Sequence, residues 1–178
     1  MSRLSTRNEI DLQPETLDAL APVRVNNKLA DVYLQFAGSE EALRAYLHME
    51  QSIREGSLST REVEAVKLWM SQQTGCHYCL SVHTFKASKA SLSVAEQLAI
   101  RQSEPIGDER MDCLISLAAA LFTKPGKLAD QLLERARQTG FIDQNLVDLT
   151  LVMSTVFFTN ITNHINDSQS ALPPAPPL

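Results

Sequence analysis

The stretch LSTREVEAVKLWMSQQTG, residues 58–75, constrains the fold more than any other part of the chain. It opens with Ser59-x-x-Glu62, a pair in which each side chain can satisfy the other's backbone N–H at a helix start. It closes at Gly75, the residue type that stops a helix in a left-handed turn. Ser93-x-x-Glu96 repeats the start signal, and Pro105 with Gly107 supplies the next stop. Residues 39–56 begin at a cap candidate, Ser39, and place Leu43, Tyr46, Leu47 and Ile53 at helical spacing before Gly56. Shorter or later helices are expected over Asn27–Phe36, from Cys76 to about Ala90, over 108–122, around Leu128, Leu132 and Ala136, and from Asp143 to about Ile165. The K-P-G break at 124–126 separates two of them. No Asn-Gly or Asp-Gly hairpin signal occurs, and period-two alternation is scarce. The expected fold is all-α, a compact domain of about seven helices.

Three parts are expected along the chain. Residues 1–26, interrupted by Pro14 and Pro22, read as a polar N-terminal arm with one short helical turn. Residues 27–168 form the helical domain, and the proline-rich residues 169–178 read as a disordered tail. The last helix is apolar over nearly its whole circumference and has to be covered, which predicts a homo-oligomer built on it. Its Asp148, threonines and asparagines favour a buried helix over a membrane span. A net charge of −5 disfavours a nucleic-acid partner. The first residues lack the apolar run of a secretory leader, and three cysteines, an odd number, suit a reducing compartment. A cytoplasmic protein is expected.

Chemistry concentrates in TGCHYCLSVHTFKAS. Cys76 stands at a helix start, where free N–H groups and the helix dipole favour a thiolate. Cys79 lies three residues on, within disulfide reach, and His83 lies one turn beyond it on the same stripe. A histidine there can take a thiol proton or hold a thiolate. Glu64, twelve residues before Cys76, could orient His83 across a helical hairpin, or could equally pair with Lys67 on a solvated face. Two inert buried thiols are one alternative. A zinc site using Cys76, Cys79, His83 and a fourth ligand, Glu64 or Cys113, is another. Cys113 itself reads as a core residue, His48 as a surface one, and His164 as a partner of its own helix dipole. Tyr78, Val82 and Phe85 form the opposite stripe of the cysteine helix and are expected to pack, as is Trp69.

STREVEAVKLWMSQQTGCHYCLSVHTFKA resembles the AhpD-like alkylhydroperoxidases of the carboxymuconolactone decarboxylase superfamily, in Arg61, Glu64, Cys76, Cys79 and His83. The resemblance extends over residues 30–168. It implies a thiol-dependent peroxidase on an oligomeric helical fold, trimeric or hexameric, reducing organic hydroperoxides or hydrogen peroxide. Cys79 would attack the peroxide, and Cys76, the more exposed partner, would condense with it. His83 and Glu64 would relay the proton. The implied partners are a peroxide substrate and a dithiol reductant of lipoyl or thioredoxin type, with no metal, haem or flavin and no membrane. One departure stands out: Tyr78 occupies a position where characterised members carry a second histidine, and His77 points away from it. That departure motivates an alternative, a redox-responsive thiol–disulfide sensor with little turnover.

Overall fold

The computed structural model describes residues 3–124 and 126–178. Pro125 of the expected K-P-G break therefore lies outside the described residues, as do Met1 and Ser2 of the expected arm. The described residues hold nine α-helices and no strand: α1 (Pro14–Leu20), α2 (Asp31–Phe36), α3 (Glu40–Glu55), α4 (Thr60–Gln73), α5 (His77–Lys89), α6 (Val94–Gln102), α7 (Glu109–Thr123), α8 (Asp130–Gln138) and α9 (Asp143–Asn166). The all-α expectation holds, with more helices than the seven expected.

Helix α4 is the centre of the fold. From Glu62 to Ser71 every side chain is buried, and the helix packs against α5, α6, α7 and α9. Its start is the expected capping box, with the Glu62 carboxylate accepting from the Ser59 N–H at 2.8 Å. Arg110 of α7 donates to the same carboxylate at 2.7 Å, so the cap also ties two helices together. Arg61 reaches outward to Glu96 and Asp108, the first turn of α6 and the cap of α7. Its role is to join helix starts at a distance from the cysteines. Trp69, Leu68, Leu114, Leu117 and Leu149 are among the buried side chains of the main core.

A second, smaller core holds Leu12, Leu20, Phe36, Leu43 and Leu47. Phe36, Tyr46 and Phe158 meet there with ring centroids 5.6–5.7 Å apart. This corrects the reading of the N-terminal residues as a loose arm. Leu12, Thr16 and Leu20 are buried, Gln13 donates its N–H to Glu40 at 2.8 Å, and Arg44 donates to Thr16 at 2.7 Å. Spaced apolar residues too few for a clear period were enough, because α3 and α9 cover them. Helix α2 starts at Asp31, later than expected, since Asn26 and Asn27 adopt left-handed conformations in a turn closed between Val25 and Lys28.

The C-terminal segment has no helix, as expected, yet it lies along the body where a disordered tail was read. Arg101 donates to the Pro176 carbonyl at 2.6 Å, and Ala175 packs on the main core. Helix α9 is long and apolar enough to cross a membrane by length and composition alone. One of its faces packs on α3, α4 and α5, while Val147, Phe157, Ile161 and Ile165 are exposed.

Candidate active site

The turn between α4 and α5 places the two cysteines. Gly75 takes the left-handed conformation, with φ of 69°, that L side chains adopt only at a cost. The Cys76 N–H then reaches back to the Ser71 carbonyl at 3.1 Å and the Gly75 N–H to the Gln72 carbonyl at 3.1 Å, a complete Schellman stop. The same turn makes Cys76 the N-cap of α5, one residue earlier than the in-helix position expected. Its sulfur accepts the Cys79 N–H at 3.3 Å. The two cysteines are joined as a disulfide, their Cα atoms 5.3 Å apart. Their thiolates would form at the positive end of a helix, where sulfur anions are stabilised.

One turn along α5, His83 is buried, and its Nδ1 lies 2.7 Å from Oε2 of Glu64, also buried. Burial, with Lys86 and Lys67 adding to it, pushes His83 below its ordinary value, against the opposing pull of Glu64. Burial raises Glu64, but the hydrogen bond from His83 and the charges of Lys86 and Lys67 outweigh it and hold the carboxyl below its ordinary value. A neutral imidazole beside an ionised carboxylate follows. Nδ1 donates its hydrogen to Glu64, and Nε2, which has no protein partner among the described residues, carries the lone pair. Lys67 does not pair with Glu64, as one reading had allowed. It reaches Glu50 of α3 at 2.6 Å, with 2% of its side chain exposed.

Helix α9 supplies the rest of the site. Asn163 donates from Nδ2 to the Cys79 sulfur at 3.4 Å and to the Thr159 carbonyl at 2.8 Å. Asn160 donates to Thr74 Oγ1 at 2.8 Å, and His164 Nε2 donates to the Thr74 carbonyl at 2.9 Å, so α9 pins the turn that carries Cys76. His164 thus serves another helix's end, where its own dipole was expected to be the partner. The three α9 contributions were not read as functional. Asparagines at 160 and 163 inside an otherwise apolar helix were the available signal, since a buried amide needs partners.

Two cavities flank the disulfide. Cys79 and His83 open on a mostly apolar one of about 330 Å³, walled by Tyr33, Phe36, Tyr46, Tyr78 and Val82 among others. Tyr33 is pushed up to about 12 by burial and the nearby Glu50, and burial raises Tyr46 and Tyr78 as well, so the three hydroxyls stay protonated. Cys76 opens on a second cavity of about 280 Å³, more polar, lined by His77, Asn163, His164, Asp167 and Ser168. Leu172 and Ser170 of the C-terminal segment border both.

The structure thus brings together Glu64, Cys76, Cys79 and His83. Cys76 is no more exposed than Cys79, each at 3%, contrary to the expectation that it would be the open one; the folded-back C-terminal segment borders its cavity. Tyr78 and Val82 line the Cys79 cavity, and Phe85 is exposed, so the stripe expected to pack is part site and part surface. Cys113 is fully buried in the main core and His48 is exposed, as read. Among the described residues, no three His, Cys, Asp or Glu side chains are grouped to hold a metal ion.

The carboxymuconolactone decarboxylase family model matches residues 40–111, the span that holds Glu64, both site cysteines and His83. Over that span the chain matches the carboxymuconolactone decarboxylase family, and its fold is AhpD-like. Among solved structures, the alkylhydroperoxidase AhpD core of an uncharacterized peroxidase-related protein from Ralstonia eutropha is similar at a TM-score of 0.84 and 16% identity, over 95% of this chain and 92% of that one. An uncharacterized peroxidase-related protein from Silicibacter is similar at 0.70 and 23% identity, over 98% and 95%. A cysteine-to-alanine variant of the debrominase Bmp8, in complex with 2,3,4-tribromopyrrole, is similar at 0.72 and 18% identity, over 95% and 93%. At these identities the likeness is one of fold. No curated protein matches the chain.

Proposed function

We propose that this AhpD-like protein is a thiol-dependent peroxidase for organic hydroperoxides. The observation that carries the reading is the buried Glu64–His83 hydrogen bond, one helical turn from a cysteine that opens on an apolar cavity. In the reduced protein His83 Nε2 takes the Cys79 proton, with Glu64 holding the imidazole in the right tautomer. The Cys79 thiolate attacks the outer peroxide oxygen and the O–O bond breaks. The products are a sulfenic acid on Cys79 and an alkoxide, which takes the proton back from the imidazolium to leave as alcohol. Cys76 sulfur then attacks the Cys79 sulfur, forming the disulfide and releasing water. An external dithiol restores both thiols by exchange, entering from the Cys76 side. Asn163 steadies the Cys79 sulfur, a contact that partly fills the place of the second histidine missing at Tyr78.

Steady-state consumption of cumene hydroperoxide with a dithiol reductant tests the reading. Turnover that disappears in Cys79→Ser is expected, whereas a single oxidation that then stops marks a redox sensor. The aromatic walls beside Cys79 favour a second reading, reductive dehalogenation of a small haloaromatic. There two thiols become the disulfide as an aryl–halogen bond becomes aryl–hydrogen, with release of halide and a proton. Bromide release from tribromopyrrole, in place of alcohol formation from peroxide, would select it.

A further inference from the structure

Among the groups that line the Cys79 cavity, charge is unbalanced at one residue. Of the groups lining it, Glu50 and Lys67 neutralise each other at 2.6 Å, His83 is neutral, and the three tyrosines keep their protons. Lys86 is left. It makes no ion pair among the described residues, its charge acting only at longer range on Glu64 and Glu50, and it borders the Cys79 cavity and two further cavities that meet it. Arg54 and Lys89, likewise without acidic partners among the described residues, border the adjoining 360 Å³ cavity, and Arg54 borders the other. In a chain of net charge −5, this corner is cationic. By contrast Arg61, Arg110 and Arg137 all have carboxylate partners.

Resting on the peroxide reading above, we propose that the substrate is an apolar hydroperoxide carrying one carboxylate, and that Lys86 sets this specificity by binding it. Cys79 and Lys86 are seven residues apart on α5, about 10 Å along the helix axis, on neighbouring stripes that both face the cavity. A ring or short chain laid along the aromatic wall puts its peroxide at the sulfur and its carboxylate at the ammonium. One cation without an ion pair on the cavity wall matches a monoanion better than a phosphate monoester of nearly two charges. The exposed head of Lys86 keeps its charge solvated until the ligand arrives, and Arg54 and Lys89 add to the attraction from outside.

The test compares 4-isopropylbenzoate with its neutral isostere 4-isopropylbenzamide, by calorimetric titration of the oxidised protein at pH 7.5 and low salt. The benzoate is expected to bind about tenfold tighter or better, the range of a hydrogen bond to a charged group. Lys86→Gln should erase the difference, Lys86→Arg should keep most of it, and Lys86→Glu should reverse it. Equal affinities in the wild type, a preference that survives Lys86→Gln, or no binding of either compound would overturn the proposal. Neither compound has an O–O bond, so this result does not depend on turnover. The kinetic counterpart is the ratio of kcat/KM for cumene hydroperoxide with and without a para carboxylate, expected to be about 10 in the wild type and about 1 in Lys86→Gln. A ratio near 1 in the wild type counts against the carboxylate proposal. Failure of both peroxides to turn over, with benzoate still preferred, counts against the peroxide reading and leaves the anion site standing.

Discussion

Glu64 and Lys67 sit one turn apart on α4, and each finds its partner on a different neighbouring helix. Glu64 meets His83 of α5 at 2.7 Å, and Lys67 meets Glu50 of α3 at 2.6 Å. Both pairs are largely withdrawn from water, so burial does not separate them. The difference lies in what is left over. Lys67 and Glu50 are fixed charges that cancel, and the loss of either one strands the charge of the other. His83 spends one nitrogen on Glu64 and keeps a second, basic nitrogen without a protein partner among the described residues, on a side chain that lines the Cys79 cavity. A pair with a spare basic atom can move a proton, whereas a closed ion pair can only hold helices together.

The largest effect expected is on the sulfur both pairs surround. Cys79→Ser should lower peroxide turnover by about 10³-fold or more, measured as kcat/KM with cumene hydroperoxide. Next comes the structural pair. Lys67→Met leaves the Glu50 carboxylate unpaired and should cost about 3–5 kcal/mol in urea unfolding, most of it recovered in Lys67→Met with Glu50→Leu. His83→Gln should show the opposite pattern, roughly 10²-fold slower reaction of Cys79 with a smaller stability loss than Lys67→Met. If Lys67→Met instead slowed the chemistry more than His83→Gln at equal folding, the division of labour between the pairs would be wrong. Asn163→Ala should slow Cys79 by about tenfold, through loss of one hydrogen bond to a developing sulfur anion.

The smallest effect separates the pairs by pH. His83 and Glu64 are both held below their ordinary values of 6.5 and 4.5, and Glu50 below 4.5. In each case the unfolded chain binds more protons than the folded one just below the ordinary value, so stability falls as pH drops through that range. The histidine pair therefore begins to lose stability below about pH 6.5, and the two carboxylates contribute losses only below about 4.5. Urea midpoints measured from pH 7.5 to 5 should decline in the wild type and flatten in His83→Gln. They should keep their decline in the Lys67→Met, Glu50→Leu double variant.

Much of this was legible in the residues. Ser59-x-x-Glu62, Gly75 and Ser93-x-x-Glu96 are local signals whose geometry is satisfied within a few residues, and the structure realises each one. Cys76, Cys79 and His83 share a helix, so their spacing sufficed to bring them together. Glu64 was ambiguous because its two candidate partners, Lys67 and His83, differ by helix packing that no spacing within α4 encodes. Asn163 and Lys86 were passed over for a related reason. What makes each matter is a contact or a cavity formed between helices distant in sequence. The N-terminal residues misled because Leu12 and Leu20 are buried in a cluster completed by α2, α3 and Phe158 of α9.

The most direct test of the central claim is to mix fully reduced Cys76→Ser protein with one equivalent of cumene hydroperoxide in a stopped-flow instrument. The account predicts one alcohol per protein and a sulfenic acid trapped on Cys79, formed much faster than a free cysteine reacts. In the unmodified protein the same reaction ends in a Cys76–Cys79 disulfide. Oxidation no faster than that of free cysteine, or a sulfenic acid that maps to Cys113, would contradict it.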